Sequence, residues 1–222
     1  MIIAVIQARM GSTRLPGKVL LPILGRPMLA LQIERVKRAK LIDQIVIATS
    51  GHPSDLPIQQ FAQENGILCI RGAVDDVLDR YYQAAKRTQA EHIVRLTGDC
   101  PLSDPEVIDA VVRQHVRHHE DYTSNVHPPT YPDGLDVEVL TMRALQEAWN
   151  NADAASEREH VTSYFRRDLR HVERGNVTNE TDVSHIRLTV DEPEDYEVVK
   201  SVFEGLVAMG NTFGMEDIIK LL

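Results

Sequence analysis

The stretch Gln7-Ala8-Arg9-Met10-Gly11-Ser12-Thr13-Arg14-Leu15-Pro16-Gly17-Lys18 gathers cations, hydroxyls and glycines directly after the apolar run Ile2 to Ile6. That combination suits the holding of phosphates. Gly11 and Gly17 let backbone approach an anion closely and adopt the φ > 0 conformations such an approach requires. Ser12 and Thr13 add hydroxyl donors, and Arg9, Arg14 and Lys18 offset negative charge. Pro16 stiffens the loop. The spacing fits neither common phosphate loop: Val19 follows Lys18 where a Walker loop needs Ser or Thr, and G-x-G-x-x-G is absent.

Two further segments share one form. Val94-Arg95-Leu96-Thr97-Gly98-Asp99-Cys100-Pro101 and Leu188-Thr189-Val190-Asp191-Glu192-Pro193 each read as an apolar strand, an aspartate, and a proline opening a helix. If both strands belong to one parallel sheet, both carboxylates reach the edge where ligands bind in open α/β sheets, beside the basic loop. Either aspartate alone reads equally well as a helix cap or Asx-turn. As a pair next to a phosphate loop, Asp99 and Asp191 are expected to hold Mg²⁺, which needs few protein carboxylates because a nucleotide and water complete its octahedron.

The elements that must position these groups alternate. A helix is expected from Pro27 through Val36, ending among basic residues, and others at 56–65, from Val77, and from Pro105 behind the capping Asp104. Strands are expected at 45–49, 67–70 and 91–96, the alternation of a parallel sheet. From 120 to about 185 the rhythm changes. Strands at 122–125 and 134–140 flank a proline-containing loop, helices follow at 142–149 and 157–169, and a strand at 172–177. We read this as an insertion for acceptor binding or dimerisation within a single domain spanning 1–222. Residues 186–190 return as a core strand, and helices at 194–209 and 215–222 close the chain.

The chain has 222 residues, 43% hydrophobic and 26% charged, ordinary values for a soluble globular protein. Its formal net charge of −9 provides no overall field for nucleic acid or an anionic membrane, so phosphate-binding cations must be gathered locally. Cys69 and Cys100 are the only cysteines, which gives no disulfide framework. No apolar run approaches the roughly 18 residues of a membrane span, and the start of the chain lacks a signal-like segment. A cytoplasmic protein without nucleic-acid or membrane partners is expected.

Ala8-Arg9 followed by Ser12-Thr13-Arg14-Leu15-Pro16-Gly17-Lys18 resembles the signature loop of sugar nucleotidyltransferases, above all the cytidylyltransferases that make CMP-activated acidic sugars. Gly98-Asp99 and Val190-Asp191 with Pro193-Glu194-Asp195 are similar to the two metal-binding aspartate motifs of CMP-Kdo synthetases and their relatives, the CMP-acylneuraminate synthetases among them. Arg71-Gly72, Asp75-Asp76-Val77-Leu78, Arg80-Tyr81, Tyr131-Pro132-Asp133-Gly134-Leu135-Asp136-Val137-Glu138 and Arg158-Glu159-His160-Val161-Thr162 resemble the spore coat polysaccharide cytidylyltransferase branch. The resemblance implies a three-layer α/β/α nucleotidyltransferase sandwich, Rossmann-like and akin to GT-A, with a mostly parallel sheet. It implies Mg²⁺-dependent transfer of CMP from CTP to an acidic or modified sugar, with pyrophosphate released, in surface polysaccharide biosynthesis, by a homodimer. Nucleotide contacts are then expected from Ala8, Arg9, Gly11, Ser12, Thr13, Arg14, Lys18, Arg71, Thr97 and Gly98, and catalysis from Arg14, Lys18, Asp99 and Asp191. Gln7 and Cys100 replace a proline and an acidic residue of the CMP-Kdo pattern, which leaves the transfer chemistry in place and separates the acceptor from Kdo.

For that acceptor the sequence offers His127, Tyr131, Asp133, Asp136, Glu138, Arg158, Glu159 and His160. Asp136 and Glu138 share one face of the expected strand, and Arg158-Glu159-His160 open a helix where a substrate carboxylate would be stabilised. A solvated helix start and a structural ion pair are the plainer alternatives. His115, His118 and His119 lack the partners of a zinc site. Cys100 has no base in its sequence context to activate it. A nucleotide-sugar-dependent glycosyltransferase would place its metal on D-x-D, and Asp133-Gly134-Leu135-Asp136 has a different spacing. A non-catalytic nucleotide-binding protein would not need both aspartates.

Overall fold

The computed structural model describes residues 1–167 and 169–222. In chain order its strands are β1 (Ile2–Gln7), β2 (Pro22–Ile23), β3 (Arg26–Pro27), β4 (Gln44–Ser50), β5 (Leu68–Gly72), β6 (His92–Thr97), β7 (Tyr122–Ser124), β8 (Glu138–Thr141) and β9 (Arg174–Asn176). Its helices are α1 (Met28–Val36), α2 (Leu56–Glu64), α3 (Val77–Thr88), α4 (Pro105–His118), α5 (Met142–Asn151), α6 (Ala155–His160), α7 (Pro193–Gly205) and α8 (Met215–Leu221). β2 and β3 form a small ribbon, and the other strands one sheet in the order β5-β4-β1-β6-β8-β7-β9.

Strand β1 is the middle of the parallel half because its unbroken apolar run can be buried on both faces. Ile3 and Val5 face one layer, with Leu78, Tyr81 and Ala85 of α3 and Leu145 of α5. Ala4 and Ile6 face the other, with Leu29 and Ile33 of α1, Ile58 of α2 and Val111 of α4. This is the two-residue alternation of a pleated strand. β4 and β6 flank β1 in parallel, β5 extends that half, and β8 turns it antiparallel at β6. The result is the mostly parallel α/β/α arrangement expected. Asp104 caps α4 as the sequence implied, accepting from Glu106 N at 2.8 Å, and it also accepts from Met215 N at 2.7 Å, while Asp76 caps α3 by accepting from Asp79 N at 2.8 Å. Among the described residues no helix is long and apolar enough to cross a membrane.

Three expected elements differ. Residues 186–190 are not a sheet strand. They run extended beside the sheet, fastened by Leu188 N to Asp133 O at 2.6 Å and Val190 N to Asp99 O at 2.8 Å, and their apolar side chains join Met28, Leu102, Val199 and Phe213 in a third cluster beneath α7 and α8. The expected strand at 134–140 begins only at Glu138, because Gly134 adopts φ +107° and passes so close to the Leu188 and Thr189 backbone that a Cβ there would lie 2.5 to 3.0 Å from it. The helix expected at 157–169 stops at His160, where Val161 takes φ 53° and the chain re-enters a 3-10 turn, Thr162–Arg166. Asp168, within that expected helix, lies outside the described residues. The segment 120–185 supplies β7, β8 and β9 to the one sheet.

His115 on α4 is fully buried, with Nδ1 2.9 Å from Thr123 Oγ1 and Nε2 3.0 Å from His92 Nδ1. Burial first, then the neighbouring His92, push its pKa down to about 4 from 6.5. The unfolded chain therefore binds the proton more readily between those values. The neutral ring's contribution is complete above pH 6.5 and is lost as pH falls toward 4. Over that range the protein is expected to lose up to about 3 kcal/mol more stability than His115→Leu, as read from urea unfolding at a series of pH values.

Candidate active site

β1 and β6 are parallel neighbours in a register that pairs Gln7 with Thr97, so the basic loop and the Gly98-Asp99 turn leave the sheet at the same edge. Gly98 makes this meeting possible: its N–H donates to Gln7 O at 2.8 Å, and a Cβ would lie 3.0 Å from that oxygen and 3.1 Å from Ala8 Cβ. The loop is then pinned from beneath. Buried Asp55 accepts from Met10 N at 2.7 Å and also holds Ser50 at the end of β4. At the loop's far end Gly17, at φ 72°, turns the chain into a single 3-10 turn, Lys18–Leu20. Gly11 has open space around it and no left-handed backbone, so the conformational demand falls on Gly17 alone.

The turn drives Lys18 inward until it is only 8% exposed. Its ammonium lies 3.0 Å from Asp99 Oδ2 and 2.9 Å from Asp191 Oδ1, and it donates to Val190 O at 2.6 Å. Asp99 and Asp191, 92 residues apart in sequence, thus share one cation. Asp191 is also 3.0 Å from Arg14 Nη2 and accepts from Arg187 Nη2 at 2.8 Å. Burial alone would raise its pKa, but Lys18, Arg187 and Arg14 outweigh burial and hold it below the usual carboxylate value. Asp195 fixes the turn behind it by accepting from the Asp191 and Glu192 amides at 2.9 and 3.0 Å. Burial is offset there by Arg187 and those two amides, which lower the Asp195 pKa to about 2.

Around this cluster opens a cleft of about 230 Å³. Ala8, Arg9, Ser12, Thr13, Arg14 and Lys18 wall it from the loop, Thr97, Gly98 and Asp99 from the end of β6, and Asp191, Glu159 and His160 from the later chain. Gln7, Val77 and Arg80 also line it, though sequence reasoning assigned them no site role. Arg80 carried a signal: a cation on the face of α3 that also bears Val77, Tyr81 and Ala84 has to be explained by a partner or a ligand. Arg187 is the other omission. It links Asp191 and Asp195, close to it in sequence, with Asp133, which only the fold brings alongside.

Several expected site residues lie elsewhere. The Arg71 guanidinium is committed to Ser50 O at 2.9 Å, Gln59 Oε1 at 2.8 Å and His52 O at 3.1 Å, outside the cleft, which corrects its expected nucleotide contact. Glu138, 4% exposed, is closed in by Arg95 and the Tyr122 hydroxyl, so its role is an internal ion pair and not acceptor binding. Arg158 points to the back of α6, donating to Asp76 Oδ2 and to Trp149 O at 2.8 Å. It thereby ties α6 to α3 and is not available to a substrate carboxylate. Asp136 precedes β8 instead of sharing a strand face with Glu138. Desolvation first, then Asp133 and Glu138, raise its pKa to about 6. Asp133 pairs with Arg187 at 2.6 Å. His127 and Tyr131 do not line the cleft.

Among the described residues no group of three or more His, Cys, Asp and Glu converges as a metal-ligand set. Asp99 and Asp191 converge as a pair on one cation, and their oxygens with Val190 O form an all-oxygen donor set of the kind hard divalent ions take when a substrate supplies the remaining ligands.

The sequence matches the family model described as Cytidylyltransferase over residues 3–216. The chain belongs to that family. Membership places it among nucleotidyltransferase enzymes. Its relatives include the uncharacterized protein MJ1063 of Methanocaldococcus jannaschii, 42% identical over 74% of this chain and 66% of that one. The spore coat polysaccharide biosynthesis protein SpsF of Bacillus subtilis is 33% identical over 91% of this chain and 86% of its own length. The 3-deoxy-manno-octulosonate cytidylyltransferases of Pelobacter propionicus, Anaeromyxobacter dehalogenans and Geobacter metallireducens are 35–41% identical over about half of this chain and less than half of their own length. Among solved structures, a cytidylyltransferase from Leptospira borgpetersenii superimposes with a TM-score of 0.94 at 34% identity, covering 99% of this chain and 92% of that one.

Proposed function

We propose that the chain transfers CMP from CTP to a hydroxyl of a sugar acceptor, an acidic or modified sugar of a surface polysaccharide, and releases pyrophosphate. The observation that carries this reading is the convergence of the basic loop with Asp99 and Asp191 on one cleft. The family model's description and the polysaccharide role in the name of the SpsF relative support the nucleotide and the acceptor class.

Attack on the α-phosphorus builds negative charge on the equatorial and leaving oxygens, so most of the work is positioning and neutralisation. Ser12 and Thr13 donate hydroxyl protons to phosphate oxygens, while Arg9, Arg14 and Lys18 balance the triphosphate's charge. Arg14 and Lys18 stay with the departing pyrophosphate. Asp99 and Asp191 would hold Mg²⁺, which would supply positive charge to the transferred phosphate and make the attacking hydroxyl more acidic. Asp195 and Arg187 keep Asp191 aimed at Asp99. Glu159 and His160, with Asp133 and Asp136 nearby in the fold, are the side chains we assign to the acceptor.

The test is pyrophosphate release with each of the four nucleoside triphosphates, with and without Mg²⁺, across a panel of sugar acids and amino sugars. Release is expected with CTP, in the presence of Mg²⁺ and one acceptor class. Absence of release from CTP with every acceptor sinks the reading.

A further inference from the structure

We propose that Lys18 holds the two-aspartate site in the free enzyme and yields it to a divalent ion only when nucleotide phosphates offer its ammonium another partner. The inference rests on the nucleotidyl-transfer reading of this cleft. An ammonium has three protons to donate, and here each has an acceptor: Asp99 Oδ2 at 3.0 Å, Asp191 Oδ1 at 2.9 Å and Val190 O at 2.6 Å. Those are the oxygens a divalent ion would need.

Charge and ligand count both disfavour entry of an ion on its own. With Lys18 in place both carboxylates already share a cation, and Arg14 and Arg187, which also pair with Glu192, Asp133 and Asp195, lie against Asp191, so an incoming ion must displace an ammonium already seated between its two ligands. If Lys18 left without a new partner, its ammonium would lose two ion pairs. Hard divalent ions also want about six oxygens or more, and the described residues converge as a pair of carboxylates. A triphosphate removes both obstacles. Its oxygens complete the ion's shell, and its charge compensates the displaced lysine. The flexible four-carbon stem of lysine allows the exchange without a change of backbone. Lys18 then serves twice: it keeps the aspartates paired when no nucleotide is bound, and it neutralises phosphate when one is.

Binding of Mn²⁺ to the full chain, followed by the electron paramagnetic resonance of the free ion, tests this without turnover. For the unmodified protein, α,β-methylene-CTP is expected to tighten Mn²⁺ binding by roughly tenfold or more. Lys18→Met is expected to bind Mn²⁺ alone about tenfold more tightly than the unmodified protein and to gain thermal stability from it. Adding Asp99→Asn to Lys18→Met should abolish the gain. Lys18→Gln serves as a second variant, and the nucleotide comparison on the unmodified protein stands even where neither variant folds. The proposal is overturned if the unmodified protein binds Mn²⁺ as tightly without nucleotide as with it, or if loss of the lysine charge leaves Mn²⁺ affinity unchanged. Failure of CTP to yield pyrophosphate would instead strike the functional reading, with the Mn²⁺ affinity of the lysine variants still deciding the role of Lys18.

Discussion

Asp99→Asn and Asp191→Asn are each expected to lower kcat for CMP transfer by roughly a thousandfold while changing KM for CTP by only about threefold. The split follows from where the residues sit. On the proposed reading nucleotide binding draws on the loop, where Arg9, Ser12 and Thr13 line the cleft without an ion pair to either aspartate and only Arg14 touches one of them. Asp99 and Asp191 are the oxygens that would bring a divalent ion to the reacting phosphorus, so their loss acts on the transition state more than on the bound substrate. Asp191→Asn also leaves Arg14 and Arg187 without their shared carboxylate, which makes it the more damaging of the two. Steady-state pyrophosphate release with MgCTP and the acceptor reads both constants. Turnover at the unmodified rate in either variant would remove the aspartates from the mechanism.

The second large effect is on stability. Arg95→Ala is expected to cost about 3–5 kcal/mol, because it leaves a buried carboxylate without its counter-ion. Glu138 lies across the β6–β8 ladder from Arg95, is 4% exposed, and accepts from the Tyr122 hydroxyl as well. Burial alone would raise its pKa, yet Arg95 and Tyr122 hold it below the ordinary glutamate value. Its contribution is therefore present at neutral pH and is lost as the solution becomes acidic enough to protonate it. Replacing both partners by methionine and leucine is expected to cost far less than Arg95→Ala, since apolar groups of similar volume remove the desolvation penalty along with the attraction. Urea unfolding at pH 7 distinguishes the two. Equal losses would mean that the packing of the two side chains, and not their charge, stabilises this end of the sheet.

The part of this arrangement legible in the sequence is the part set by local chemistry. The loop from Gln7 to Lys18 announces itself by residue type, and Gly98-Asp99 by its place after an apolar strand; the register of β1 with β6 brings both to one edge. What the sequence hid depends on neighbours. Residues 186–190 have the apolar pattern of a strand, but alternation records only which side chains are buried, and here they are buried against α7 and α8 with a single isolated bridge, Arg187 to Asp133, in place of a ladder. Asp136 and Glu138 have the spacing of same-face strand neighbours, but β8 begins only at Glu138, which pairs with Arg95 of β6 in the interior while Asp136 stays exposed ahead of the strand. Arg158 finds its partner 82 residues away, at Asp76. The break at Val161 has no glycine or proline to mark it, since tertiary contacts impose a positive φ on a fully buried valine.

The two aspartates of the proposed site are mounted differently. Asp99 extends from a strand bonded on both flanks, whereas Asp191 rides on a segment held by a handful of backbone bonds and by the apolar seat under the C-terminal helices. Regions with fewer such ties open first when a protein is warmed or mildly denatured. Misalignment of one carboxylate then precedes collapse of the sheet, so this enzyme falls silent while most of its architecture still stands.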